Sequence, residues 1–485
     1  MAGGIDVHEL VEQALAAAQA AGADYVDARL VRKQRQSVAM KNGSVEELLS
    51  NEDSGVGVRV IAGGAWGFAA TSLATVADIR RAAKEAVEIA QASAKTTREP
   101  VVLAPVEPAV AEVASWATID PFTVPLAEKI DFLRACDAAM DQEGVVVRES
   151  LTMCSREEKW FASSEGADIY QDRVVTQGEV AATAAGPGEV QRRSYPNSHG
   201  GEIQARGWEI IGPQDFVGNA KIVAAEAAQL VNADKCPEGY MDIILGGPQL
   251  ALQVHESCGH PIELDRVLGM EASFAGTSFL TPDTLGARYG SPQISIVADA
   301  TIPGALGAFD YDDEGVPGQR ADIIREGIFC SYLTSRETAG KVGMTANGTM
   351  RSDGWNRAPL IRMTCINLLA GEAGSLEELI RDTDEGLLMM VNKSWSIDDR
   401  RLNFQFACEA GYRIKGGQIV GLVKNPAYQG ITPEFWQSCD AVCSQSEWRV
   451  WGLPNCGKGE PQQVMEVAHG VAPARFRQVL VGMGQ

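Results

Sequence analysis

Five histidines occur in the 485 residues, at positions 8, 199, 255, 260 and 469, and only two of them lie close together. Those two fall in His255-Glu256-Ser-Cys258-Gly259-His260-Pro261. Two imidazoles with a carboxylate beside the first are the makings of metal-assisted hydrolysis. The ring nitrogens hold a cation, and the carboxylate moves a proton. In the related H-E-x-x-H pattern the ligands are four residues apart and share one helix face. At five residues apart they would point about 140° away from each other on a regular helix. Gly259 and Pro261 supply a repair, since glycine is flexible and proline disfavours helical geometry at the residue before it. A π-bulge or an unwound last turn there would swing His260 back toward His255. Without such a break, the segment is a buried helix end with two incidental histidines.

Other patterns carry less. Gly452-Leu-Pro-Asn-Cys-Gly-Lys458 matches the start of a phosphate loop, but Gly459 stands where Ser or Thr should hold magnesium, and Glu460-Pro461 cannot open the required helix. Asp310, Asp312, Asp313 and Glu314 look like a fragment of a calcium loop with the wrong spacing. A solvated turn is the expectation there, with a role at the cleft as the alternative. Lys458 reads as a surface or structural residue, or as a donor to substrate. His199, His469 and His8 read as ordinary loop or surface histidines. Cys439 and Cys443 have metal-like spacing, but no second pair answers them, so they read as structural.

The motif needs a scaffold, and the chain divides into three parts by texture. Residues 1–100 predict an α+β unit. It has a helix over Asp6–Ala21 and strands at Tyr25–Arg32, Ser37–Lys41, Ser44–Ser50 and Val56–Ile61. Hairpins at Asn42-Gly43 and Gly63-Gly64 precede a strand at Trp66–Thr71, and a helix follows over Val76–Ala94. Prolines 100, 105 and 108 mark an extended linker over 97–116. Residues 117–233 predict a second α+β unit, with helices at 125–142 and Pro213–Ala233 around strands at Val145–Met153, Lys159–Ser163 and Asp168–Ala182. Residues 234–485 predict a mostly β domain with long loops. Within it, strand Asp242–Leu245 feeds helix Pro248–Cys258, which carries the motif. A further strand is expected at Ile294–Ala298 and a helix at Leu376–Arg381. The fold class expected is therefore α+β, with antiparallel sheets and helices in the N-terminal part and the metal site in the β-rich C-terminal part.

Composition limits the function. Lys plus Arg number 42 against 64 Asp plus Glu, a formal charge of −22, which repels phosphates and anionic membrane. Nucleic acid and membrane are thus not expected partners. No run of about 18 apolar residues occurs. The N-terminal stretch carries Asp6, Glu9 and Glu12 in place of basic residues, unlike a signal peptide. Ten scattered cysteines suit a reducing compartment, so a cytoplasmic location is expected.

The chain resembles the TldD/PmbA family of metallopeptidases, in particular its TldD-type, motif-bearing member. The residues that carry the resemblance are His255-Glu256-x-x-x-His260, Gly55-Val-Gly-Val-Arg-Val60 with Trp66-Gly-Phe68, and Tyr311-Asp-Asp-Glu-Gly-Val-Pro317. Ser335-Arg-Glu-Thr-Ala339, Ile361-Arg-Met-Thr364 and Asn455-Cys-Gly-Lys-Gly459 extend it over nearly the whole chain. The resemblance implies a zinc peptidase acting on unfolded proteins or peptides. It implies His255, His260 and Cys456 as ligands and Glu256 as general base, with Cys258 a geometrically harder rival thiolate. It also implies a dimer, either a homodimer or a heterodimer with a related subunit that lacks the motif. The alternative is a peptide-binding scaffold or modification-complex subunit in which hydrolysis is secondary.

Overall fold

The computed structural model describes residues 7–72 and 75–482. Asn42 and Gly43 both have positive φ, 48° and 79°, the combination that a two-residue type I′ hairpin needs. The hairpin joins strands Tyr25–Lys41 and Ser44–Ala62, each longer than the two pieces expected from sequence. The join is polar: Lys33 stands opposite Asp53 and Gln34 opposite Glu52, so the ladder continues where hydrophobic alternation lapses. Strand Ala65–Thr71 completes the meander. Helix Val7–Ala20 covers this part of the sheet, Asp6 of the expected helix lying outside the described residues. Val76–Ala94 packs beside it, burying Ile79, Ala82, Ala83 and Ala86 against Val26, Ala28, Val56 and Val58.

The second unit continues the same sheet. Strand Val145–Ser163 pairs antiparallel with Tyr25–Lys41 from Asp27 opposite Ser163 to Lys41 opposite Glu149. Strand Asp168–Gly186 follows, and within the expected linker Val110–Val113 pairs parallel with it. Helices Leu126–Ala139 and Phe216–Val231 cover this half, with Cys136, Phe216, Ala220 and Val223 packed on Val180 and Ala182.

The C-terminal part is built on a ten-stranded sheet. Strand Gly239–Leu245 lies inside it, parallel to Glu385–Met389 on one side and antiparallel to Ala474–Val481 on the other. Strand Asn392–Ile397 ends the sheet, with Lys393, Ser394, Trp395 and Ser396 exposed. A four-stranded sheet and a separate ribbon, Arg449–Lys458 with Gln463–Val471, complete the β structure. The chain is thus a mixed α and β fold, as expected. Among the described residues no helix is long and apolar enough to cross a membrane.

The acidic segment overturns its reading as a solvated turn: Asp312, Asp313 and Glu314 are buried. Asp313 pairs with Arg29 at 2.8 Å and Lys159 at 2.7 Å, both from the N-terminal sheet. Glu314 pairs with Arg59 at 3.3 Å, and Asp312 accepts the backbone N–H groups of Glu314, Val316 and Met350. The charges are buried because their counter-ions arrive from the other part of the chain. Burial would raise the Asp313 carboxyl, but Lys159 and Arg29 outweigh it and hold it below the ordinary range. An unfolded aspartate titrates near pH ~4, so the stability from this pairing is fully present above that value. It is lost as pH falls through the lower folded value. Asp313→Asn is accordingly expected to cost about 3–5 kcal/mol at pH 7, because the buried Arg29 and the half-buried Lys159 lose their partner. Urea titrations of parent and variant from pH 7 down to about 3 check this. A gap that does not narrow with acid would sink the assignment.

Candidate metal centre

Strand Gly239–Leu245 delivers the chain to Gly246, and helix Gly247–Val254 starts there with Pro248 in its first turn. Proline costs nothing at that position, where no intrahelical partner exists for its missing N–H. The helix then widens. Residues His255–Gly259 form a π turn, closed by the His260 N–H donating to the His255 carbonyl, and His260–Ile262 tighten into a 3₁₀ turn. A hydrogen bond five residues back brings the two rings together, with centroids 4.8 Å apart. The expected π-bulge is present, but by a different local route. His260 keeps right-handed helical angles, φ −60° and ψ −40°, despite Pro261. Gly259 is helical too, and it serves by lacking a side chain: a Cβ there would sit 2.1 Å from the Met363 sulfur.

Cys456 comes from the ribbon strand Arg449–Lys458, whose register breaks between Leu453 and Cys456. Its sulfur lies 3.7 Å from His260 Nε2. One donor atom each from His255, His260 and Cys456 lie within 4.8 Å of one another, all three residues buried. Cys258 points elsewhere, into the hydrophobic core, and burial pushes its thiol far up. Burial alone would also raise Cys456. His260, His255 and Arg362 more than reverse that, and the thiol falls well below its ordinary value.

Hydrogen bonds fix both imidazoles. His469 Nδ1 lies 2.9 Å from the Ile366 carbonyl, which can only accept, so Nδ1 carries the proton and Nε2 a lone pair. His255 Nδ1, 2.8 Å from that lone pair, must then be the donor, so in the neutral imidazole Nε2 is the bare nitrogen. His260 Nδ1 donates to Glu263 Oε2 at 2.9 Å, leaving its Nε2 bare as well. Burial lowers the proton affinity of His260. Glu263 is itself held by Lys458, 3.4 Å away, whose ammonium also donates to Asp265 and the Ile361 carbonyl at 2.7 Å. Such outer partners orient ligands and set which nitrogen is free.

Glu256 is clamped from one hairpin. Its Oε1 accepts from the Trp395 indole at 2.8 Å and its Oε2 from Arg401 at 2.5 Å. One expectation needs correcting: His469 is no ordinary loop histidine, since it orders His255. Of the alternatives for Lys458 the structural one holds, since it is fully buried. The segment resembling a phosphate loop is the ribbon strand itself, with no helix after it. His199 stays outside the donor group, its ring 4.8 Å from that of Trp395, and His8, exposed at the start of helix Val7–Ala20, lies 3.5 Å from Asp168. Glu263, Trp395 and Arg401 were not singled out from sequence, and His469 was weighed there only as an ordinary histidine. Only Glu263, three residues past His260, had a local signal.

Models of three PmbA/TldA metallopeptidase domains match the chain: domain 1 over residues 26–90, the central domain over 119–233 and the C-terminal domain over 238–481. The chain belongs to the PmbA/TldD family. A Methanocaldococcus jannaschii protein named as a metalloprotease is 29% identical, over 90% of this chain and 92% of its own length. A Haemophilus influenzae protein named as a metalloprotease TldD homolog is 27% identical, over 95% and 93%. Among solved structures, TldE from Thermococcus kodakarensis aligns with a TM-score of 0.73 at 16% identity, covering 98% of this chain and all of that one. A Thermotoga maritima protein titled a putative modulator of a DNA gyrase gives 0.78 at 19%, with 98% and 100% covered. These two likenesses are of fold. Within the PmbA/TldD-family fold of this chain, the motif helix, the Cys456 ribbon and the Trp395–Arg401 hairpin converge on one point.

Proposed function

We propose that the chain is a zinc-dependent peptidase that hydrolyses extended, unfolded peptides, with His255 Nε2, His260 Nε2 and Cys456 Sγ as the ligands. The observation that carries this is the pair of imidazoles, each with its Nδ1 committed to a hydrogen bond and its Nε2 turned toward the Cys456 sulfur. Two imidazoles and a thiolate suit zinc far better than magnesium or calcium, which take oxygen ligands. With three protein ligands, a zinc ion there would supply a Lewis acid and an acidified water. Glu256 would accept a proton from the attacking water as the water's oxygen adds to the scissile carbonyl carbon. The same proton then passes to the amide nitrogen, which departs as an amine when the C–N bond breaks. Trp395 and Arg401 keep the carboxylate aimed during both transfers.

The sheet edge supports this substrate class. Strand Asn392–Ile397 is terminal and exposed, and its Trp395 already touches Glu256. A peptide adding to this edge pairs through its backbone, which requires an extended, unpaired chain and reads side chains weakly. The family resemblance adds a dimer, either of this chain or with a related subunit lacking the motif. The test is metal analysis of the purified chain, followed by incubation with a stable folded protein and with its own unstructured fragments. Related motif-less subunit is supplied in a parallel arm. Fragments are expected to be cut in many places and the folded protein spared, with activity lost on chelation and regained with zinc. Cleavage of both at equal rates would remove the strand-addition reading, and metal-independent cleavage would remove the peptidase mechanism.

A further inference from the structure

Arg401 occupies a position that its backbone does not favour. It lies in the turn between strands Asn392–Ile397 and Asn403–Cys408 with φ at +62°, the left-handed region where glycine is the low-energy choice. The turn does not depend on the arginine side chain. Asp398 accepts the backbone N–H groups of Leu402 and Asn403, its carbonyl accepts that of Arg401, and Thr432 donates to the Arg401 carbonyl. A strained residue in a turn pinned by others is retained for what its side chain reaches.

That side chain reaches the centre. Its side chain is 14% exposed, and among the described residues the guanidinium donates to Glu256 alone. Nε is buried without an acceptor. A guanidinium has five N–H donors, so most of its capacity is unused beside a base and three ligand atoms. A structural counter-ion for a carboxylate would more naturally form the two-pronged pair that arginine favours.

We propose that Arg401 is a further catalytic residue: anchored by one N–H on Glu256, it donates others to the scissile carbonyl oxygen as negative charge builds there. The inference rests on the peptidase reading. As the water oxygen bonds to the carbonyl carbon, the C=O π pair moves onto oxygen, and that charge meets the guanidinium. The pair returns as the C–N bond breaks and the amine leaves with the proton that Glu256 held. Arg401 stays protonated throughout, so no proton is unaccounted for. Donors placed where charge develops act most strongly in a water-poor site.

The experiment uses Arg401→Gly and Arg401→Lys in the full, metal-loaded chain. Glycine relieves the backbone but leaves the buried Glu256 carboxylate without its cation, so some thermal stability is expected to be lost while metal content stays at or above the parental value. The kcat on an extended peptide should fall about 10²–10³-fold with KM within about threefold, and lysine should recover part of it. Affinity for a phosphinic peptide, whose tetrahedral anion resembles the charged state, should fall by a similar factor, with affinity for the matching product peptide unchanged. Arg401→Gly turning over within a few-fold of the parent would overturn the proposal. So would a loss of kcat with phosphinate affinity intact, which would leave Arg401 only a support for Glu256. A parent chain that cuts no peptide fails the peptidase reading instead, and phosphinate affinity equal in parent and variants would then also remove Arg401's role.

Discussion

Replacing Glu256 by glutamine is expected to lower kcat by about 10²–10⁴-fold while the metal stays in place. In the proposed site the carboxylate neighbours a ligand without being one, so its loss should fall on proton transfer. Glutamine has nearly the same shape, but one carboxylate oxygen becomes an NH₂ group. Both oxygens now accept, one from Trp395 and one from Arg401, so an amide must turn a donor toward a donor. A stability loss of about 1–3 kcal/mol is therefore expected alongside the kinetic effect. Glu256→Gln combined with Trp395→Phe removes the conflict and should restore stability without restoring turnover. Metal analysis, thermal melts and peptide kinetics on the two variants separate the effects. Near-parental kcat in Glu256→Gln would exclude it as the base, and lost metal would make it a ligand.

What could be read from the sequence was local. The strand–turn–helix around Pro248, the unequal spacing of His255 and His260, and the need for a helix break between them all lie within one stretch of chain. The break was right in kind and wrong in cause. Proline at 261 did not bend His260 out of helical angles, because a π turn already supplies the rotation and a 3₁₀ turn accepts proline at its start. Cys456 came only through family resemblance. His469 and Arg401 touch His255 and Glu256 across 214 and 145 residues, and nothing in their own surroundings marks them. The acidic run at 312–314 misled for the same reason. Its cations, Arg29, Lys159 and Arg59, lie 284, 154 and 255 residues away, and a charge reads as solvated until its partner is known.

His260→Ala and Cys456→Ala are each expected to leave the purified chain with little or no metal after dialysis against a competing chelator. A three-ligand site that loses one member keeps only two donors, and the electrostatics make the cysteine the costlier loss. Both imidazoles are neutral when they ligate, so the thiolate is the sole anion contributed to the cation. Arg362, whose guanidinium donates to the Cys456 carbonyl, and Arg401 beside Glu256 add positive charge nearby. Without the thiolate, a dication would sit buried among cations, which the low local dielectric penalises. Metal affinity should therefore fall further in Cys456→Ala than in His260→Ala. Both should exceed the roughly 10–100-fold loss expected for His469→Phe or Glu263→Gln, which disturb only the orientation of a ligand. Cys258→Ala, which removes a core sulfur, should keep its metal and lose only packing stability. Full occupancy in Cys456→Ala together with loss in Cys258→Ala would reverse the choice of thiolate, and full occupancy in both would mean that no cysteine holds the ion.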